Sequence, residues 1–190
     1  MDELITAKDL DTWSGYRHAQ GHLPSLRAAI MATVVPSSIR FPSAEGVGAP
    51  GFDGVVEVIG GAPPFVPAGR SVWEAGTGAD PAGKAAEDYK KRTEQLPREE
   101  RERTTFVFVT SRLWVDATAW AKDRADGGDG WLGVVALDAD ALAIWLETLP
   151  GVRARFSEVL GRQPYGVTPL ARWIEDWRDE TEPALPSICS

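Results

Sequence analysis

The sequence predicts an α/β protein with a mixed central β-sheet flanked by helices, and three observations support this. Two continuous apolar runs, residues 104–111 and 131–138, are typical of strands that are buried on both faces. A helical pattern around residues 117–124 separates them, and this alternation favours parallel pairing. Earlier in the chain, runs rich in β-branched residues at 52–59 and 70–76 flank a connection rich in glycine and proline, which indicates an antiparallel hairpin.

The remaining elements follow from periodicity and helix-start signals. Apolar residues at helical spacing predict helices over residues 2–13 and 24–35, and residues 37–41 are a short strand candidate. An Asp-Pro pair starts a helix that continues through good helix formers over residues 80–95. Two amphipathic helices are predicted within residues 139–161, and a helical tail follows them.

Composition limits the class of protein. The chain has 190 residues, of which 43% are hydrophobic and 25% charged, which is typical of one globular domain, predicted over residues 1–180. A net charge of −8 excludes a broad basic surface that coats nucleic acid, so any such contact is local, metal-assisted or supplied by a partner. The single cysteine, Cys189, excludes internal disulfides and cysteine-based zinc clusters.

The two ends of the chain give expectations about location and neighbours. The amino terminus lacks the apolar core of a signal peptide, and no run approaches the length of a membrane span, so we predict a cytoplasmic protein without a membrane partner. Residues 181–190 belong to a polar, proline-containing stretch that returns to apolar residues. This pattern is typical of a linker or of the start of a following domain.

Two acidic residues stand where strands are predicted. Asp53 precedes one β-branched run and Glu74 lies inside the next, although a carboxylate among apolar strands is costly unless a cation or hydrogen bonds compensate it. If the strands pair, both carboxylates come within reach of one hard cation such as Mg²⁺ or Mn²⁺, which takes oxygen ligands. Glu57 shares a strand face with Asp53 by alternation and is a candidate third ligand.

These motifs resemble the PD-(D/E)xK nuclease superfamily, which includes restriction-enzyme-like and Mrr-like nucleases. The matching stretches are PGFDG at residues 50–54 and WEAGT at 73–77, and the order of elements agrees from residue 2 to about 111. The resemblance implies a restriction-endonuclease-like core of helix, three strands, helix and strand, here with an extra strand and carboxyl-terminal helices. It also implies Mg²⁺-dependent hydrolysis of DNA, with Asp53 and Glu74 as catalytic metal ligands.

The same stretch looks like the amino-terminal part of large bacterial proteins. In such proteins we expect an NTPase or sensor domain downstream, as in antiviral defence systems that tether a nuclease to a sensor. The resemblance therefore implies a nuclease that acts as the effector of a larger protein, with assembly into a homo-oligomer as a further expectation.

The chain departs from the superfamily pattern at one position. The superfamily's lysine stands two residues after the glutamate, where this chain has Gly76. In several branches the lysine has moved to the next helix, and Lys84 is placed to replace it, on one helix face with Asp88 and Lys91. A lysine there would orient or help to deprotonate the attacking water and stabilise the transition state.

Each of these residues also has a purely structural interpretation. Asp53 lies in a Gly-Phe-Asp-Gly stretch, where an aspartate commonly bonds to local turn backbone. Glu74 would face solvent if its strand were at an edge, and Lys84 would be a surface lysine paired with Asp88. The glycine at position 76 and the acidic total favour a second hypothesis, a noncatalytic scaffold or recognition domain that binds a protein or nucleic acid.

A weaker pattern is basic. Arg112 follows a predicted strand and, with Lys90, Lys91 and Arg92, would form a modest basic rim for a phosphate backbone. The alternative interpretation of this cluster is ordinary surface charge.

Overall fold

The computed structural model describes residues 5–16, 23–41, 51–162 and 170–181. The predicted linker beyond residue 181 lies outside the described residues. Within them the chain forms an α/β structure in which one five-stranded mixed sheet is flanked by helices, which confirms the predicted fold class at this level.

The elements follow the predicted order closely. The strands are β1 (Ser38–Arg40), β2 (Gly54–Val58), β3 (Gly69–Gly76), β4 (Thr104–Thr110) and β5 (Gly133–Leu137). The helices are α1 (Ala7–Ser14), α2 (Leu23–Thr33), α3 (Pro81–Gln95), α4 (Arg98–Arg101), α5 (Ala117–Asp126), α6 (Ala139–Glu147), α7 (Pro150–Val159) and α8 (Leu170–Thr181). None of the helices in the described ranges is both long enough and apolar enough to cross a membrane.

The strands lie in sequence order across the sheet. The pairs β1–β2 and β2–β3 are antiparallel, whereas β3–β4 and β4–β5 are parallel. Helix α3, with the short α4, connects β3 to β4, and α5 connects β4 to β5, as parallel neighbours require. All seven residues of β4 are buried, the threonines at its ends as well as its apolar centre. The prediction that the later run is also buried on both faces is wrong, because β5 lies at the sheet edge and only Leu137 of its five residues is buried.

Helices cover both faces of the sheet. On one face, Val56, Trp73 and Val107 pack with apolar residues of α2 and α6. The alternate residues, which include Val72 and Phe108, pack on the other face against residues of α3 and α5. Because side chains alternate along a strand, Glu74 shares the face of Val72 and lies beneath α3.

Helix α3 has a well-defined start. The carboxylate of Asp80 accepts a hydrogen bond from the amide of Gly83 at 2.8 Å, and Pro81 occupies the first turn, where its missing N–H costs nothing. The cap fixes the residue at which α3 begins, and the positions of the α3 side chains that face the sheet follow from it.

The connection between β2 and β3 is tightly packed at one of two adjacent glycines. A Cβ on Gly61 would lie 2.5 Å from the amide nitrogen of Ala68 and 2.6 Å from the carbonyl oxygen of Val66. A Cβ on Gly60 would meet nothing within 4 Å. The loop therefore closes on its own backbone at Gly61, and this closure holds the β2–β3 register.

We predict that Gly61→Ala lowers the free energy of unfolding by about 1–3 kcal/mol, the usual cost of overpacking, because backbone atoms must move. Gly60→Ala is the matched control and should stay within about 0.5 kcal/mol of the parent. Urea denaturation followed by circular dichroism measures both. Equal stability of the two variants would contradict the described closure of this loop.

Candidate functional site

The carboxylate of Asp53 reaches the neighbouring strand. Gly54, the next residue, pairs with Trp73, so Asp53 stands beside the carboxyl-terminal half of β3. Its Oδ2 accepts a hydrogen bond from the amide of Ala75 at 3.0 Å. This hydrogen bond holds Asp53 next to Glu74 on the neighbouring strand. Its partner is not the local turn backbone that the structural interpretation of Asp53 expects.

Glu74 is buried inside the sheet. Strand β3 lies between β2 and β4, and Glu74 is only 3% exposed, so the edge-strand interpretation is wrong. Burial raises the pKa of Glu74 to about 7; the hydrogen bond from Arg92 opposes this rise, and the neighbouring carboxylates of Asp53 and Asp88 add to it. The structure therefore brings the two predicted carboxylates together.

Arg92 of α3 is the counter-ion of Glu74. Its Nε donates to Glu74 Oε1, and its other nitrogens donate to the carbonyl oxygen of Gly51 and, at 2.7 Å, to Gln95 Oε1. Its guanidinium also lies 4.9 Å from the ring centroid of Phe52. Arg92 is 4% exposed, so its predicted place in a surface basic rim is wrong.

Lys84 lies over Gly76. A Cβ built on Gly76 would be 3.1 Å from Cγ of Lys84, so the aliphatic stem of the helix lysine fills the space that a side chain at position 76 would use. Its Nζ donates to Asp88 Oδ1 at 2.8 Å, so the pairing considered as the alternative is present as well. This hydrogen bond raises the pKa of Lys84, and the lysine is therefore held in its charged form.

Asp88 is a third carboxylate of the site that the sequence interpretation did not assign to it. It is 3% exposed, and burial raises its pKa, while Lys84 acts in the opposite direction. Its Oδ2 is buried and has no hydrogen-bond partner. The i, i+4 relation to Lys84 placed Asp88 on the correct helix face, but only the packing of α3 on the sheet shows that it is buried.

Glu57 does not join this group. It pairs in register with Arg70, and its carboxylate lies 3.9 Å from Arg70 Nε. Arg70 is four residues before Glu74 on β3, or ~13 Å along an extended strand. Among the residues that the structure describes, no group of three or more histidine, cysteine, aspartate or glutamate side chains is arranged to hold a metal ion.

Arg112 joins β3 to α1 and does not form a rim with the α3 lysines. Its Nε donates to the carbonyl oxygen of Thr77 at 2.9 Å and its NH1 to that of Asp11 at 3.0 Å. Lys90, in contrast, is an exposed residue whose Nζ lies 4.0 Å from Glu94 Oε1. The predicted basic cluster thus separates into buried or bridging arginines and ordinary surface lysines.

A cavity of about 510 Å³ adjoins the acidic group. Its lining includes Asp53, Gly76 and Lys84, together with the aromatic side chains of Trp13, Trp145 and Phe156. It therefore connects the carboxyl end of β3 with the apolar space among the helices on the opposite face of the sheet. No pattern in the sequence indicates this cavity, because its walls come from distant segments.

Searches with protein-family models, among curated proteins and among solved structures found no match to the chain. A functional proposal is therefore based on the geometry of the site, which is formed by Asp53, Glu74, Lys84, Asp88 and Arg92.

We predict a pH-dependent stability that belongs to Glu74. Because folding raises its pKa from an ordinary 4.5 to about 7, its contribution is complete below the lower value and is lost as pH rises through the higher one. Between pH 5 and pH 8, the parent should therefore lose about 2–3 kcal/mol of unfolding free energy relative to Glu74→Gln. Chemical denaturation at a series of pH values measures the difference.

Glu57→Gln is the matched control, since it changes the same residue type at an exposed position of the neighbouring strand. Its stability should run parallel to that of the parent over the whole pH range. A parent and a Glu74→Gln variant with identical pH profiles would show that Glu74 has the same pKa in the folded and unfolded states.

Proposed function

We propose that the chain is a metal-dependent nuclease domain of the PD-(D/E)xK kind that hydrolyses phosphodiester bonds in DNA. The observation that carries the proposal is the position of Lys84, whose stem covers Gly76 beside Asp53 and Glu74. A lysine from the helix thus supplies the charge that the superfamily pattern places on the strand. As part of the same proposal, the domain is the effector of a larger defence protein.

The donor atoms suit a hard divalent cation. Asp53, just before β2, and Glu74, on the neighbouring β3, are carboxylates that are close enough to interact electrostatically. Mg²⁺ prefers oxygen ligands, needs few from the protein and keeps several waters. Asp53 and Glu74 would hold the ion, which would supply Lewis-acid stabilisation of charge on a phosphate.

Lys84 contributes a fixed positive charge to this mechanism. Its hydrogen bond to Asp88 raises its pKa, so it is unsuited to removing a proton from water and suited to neutralising charge on the phosphate in the transition state. The sequence left two roles open for Lys84, activation of the attacking water and stabilisation of the transition state, and its raised pKa favours the second. Glu74, with a pKa near 7, must lose its proton before it can hold the ion.

One observation favours the second candidate, a noncatalytic recognition or scaffold domain. Arg92 already neutralises Glu74 inside the sheet and has further hydrogen bonds to Gly51 and Gln95. A buried ion pair of this kind gives Glu74 an oppositely charged partner inside the protein, so its burial does not require a metal. In this alternative the acidic group has a structural role, and the binding surface for a protein or nucleic acid lies elsewhere.

We predict that the purified chain cleaves DNA when Mg²⁺ or Mn²⁺ is added. Asp53→Ala and Glu74→Gln should reduce cleavage to background, since each removes a carboxylate from the group. Lys84→Ala should reduce it about 100-fold or more, the usual effect of removing one transition-state charge partner. Cleavage of a labelled DNA followed on denaturing gels measures all three, and Lys90→Ala is the matched surface-lysine control.

The double variant Lys84→Ala/Gly76→Lys provides a sharper test. Loss of the Lys84 side chain removes one of the two side chains that lie against Gly76 and leaves the ring of Phe108, 3.2 Å from a Cβ at this position. A lysine placed there restores the superfamily arrangement, with a small shift of that ring. We expect the double variant to recover a substantial part of the activity that Lys84→Ala loses. If Lys84→Ala retains full activity, the proposed role of this lysine is wrong.

Calorimetry separates the two candidate functions without relying on turnover. For the nuclease, Mg²⁺ titration should release heat at millimolar metal or below, more strongly at pH 8 than at pH 6, because Glu74 must ionise to bind. Asp53→Ala should abolish this heat. Titration without heat in the parent, for both Mg²⁺ and Mn²⁺, would support the noncatalytic domain.

A further inference from the structure

We propose that the cavity beside Asp53 and Lys84 binds an unpaired nucleotide, so that the substrate is single-stranded DNA or a frayed end rather than an intact duplex. The inference deepens the proposed nuclease function and rests on it for the identity of the ligand. The cavity volume of about 510 Å³ is within the ~300–1,000 Å³ typical of small-molecule sites.

The position of the cavity supports this occupant. It includes Gly76, Thr77 and Gly78 at the carboxyl end of β3, and β3 and β4 are parallel neighbours. Ligands of open α/β sheets commonly bind outside the carboxyl ends of parallel strands. The same cavity includes Asp53 and Lys84, so a ligand that fills it necessarily lies against the proposed catalytic group.

The lining of the cavity has the mixed chemistry that a nucleotide requires. Lys84 and Asp53 provide polar groups, and Lys84 carries the positive charge. Trp13, Trp145 and Phe156 form part of the same wall, but they are 1–7% exposed and pack on other rings, so they leave little open ring surface. A phosphate at the lysine and a base against the mainly apolar wall would satisfy both parts.

The charge of the protein argues against an extended duplex interface. The net charge is −8, and two arginines nearest the acidic group have internal partners, Arg92 with Glu74 and Arg112 with the carbonyl oxygens of Thr77 and Asp11. A duplex is held mainly by basic side chains that contact successive phosphates. An acidic protein that binds one or two unpaired nucleotides gains affinity from burying the apolar surface of a base instead.

The experiment fills the cavity and measures binding without cleavage. Ala29 lines the cavity from α2, and Ala32 is exposed on the same helix, so Ala29→Phe and Ala32→Phe make the same change inside and outside the site. Leu142→Trp and Ile144→Trp form a second such pair on α6. Fluorescence anisotropy of a short labelled single-stranded DNA, in EDTA and in Ca²⁺, reports affinity, and circular dichroism reports folding.

We expect the parent to bind the single strand more tightly than the duplex of the same sequence. Ala29→Phe and Leu142→Trp should weaken binding about 10-fold or more, because the larger side chain occupies space that the base would fill, while both exposed controls stay within about twofold. If either cavity-filling variant fails to fold, the other carries the test. Equal binding by folded inner and outer variants, tighter binding of the duplex, or no binding by the parent would overturn the proposal.

Different experimental results would contradict the nucleotide site and the nuclease function. Cavity-dependent binding without any Mg²⁺- or Mn²⁺-dependent cleavage would remove the nuclease and leave the nucleotide site. Cleavage that is unaffected by Ala29→Phe and Leu142→Trp would keep the nuclease and overturn the nucleotide site. Saturation of the cavity by a fatty acid, with no competition from single-stranded DNA, would also overturn it.

Discussion

A carboxylate inside a β-sheet must be compensated, and the compensation of Glu74 determines how the rest of this site is built. Glu74 lies between two neighbouring strands and is almost fully buried, so bulk water cannot stabilise its charge. Arg92 supplies the opposite charge from α3 and is itself held by Gly51, Gln95 and the ring of Phe52. The loop before β2, the sheet and α3 are thereby tied together at one point, and Asp53 and Lys84 line the cavity beside it.

Helix α3 gives the site its composition. Lys84, Asp88 and Arg92 recur every four residues, so they form one stripe that faces the sheet. Gly76 is necessary to this arrangement because its missing side chain leaves space for the stem of Lys84. The glycine at position 76, where the superfamily pattern has a lysine, and Lys84 therefore form one structural feature. Strand pairing fixes Gly76, and the cap at Asp80 fixes where α3 begins and so the position of Lys84.

The carboxylates of the site outnumber the cations near them. Three carboxylates, Asp53, Glu74 and Asp88, lie near two cations, Lys84 and Arg92, and burial raises the pKa of both Glu74 and Asp88. A divalent ion would offset the excess negative charge of the ionised group, and this is the physical link between the ion pair and the proposed chemistry. The protein has a net charge of −8 and so offers little positive charge to a nucleic acid. The adjoining cavity offers apolar surface to a ligand instead.

The sequence by itself determined the elements and their order, because periodicity and turn residues are local properties: the buried run of β4, the β2–β3 hairpin and the start of α3 were all predictable. It predicted β5 as a strand, but only the sheet order shows that this strand lies at the edge and is mostly half-buried. It also identified Asp53, Glu74 and Lys84 as residues that the fold brings together. Tertiary structure alone decided the partner of Glu74, the burial of Asp88, the separation of Glu57 and the presence of the cavity. These features depend on where α3 lies along the sheet and on contacts between helices that are far apart in the sequence. A local sequence pattern contains no information about either.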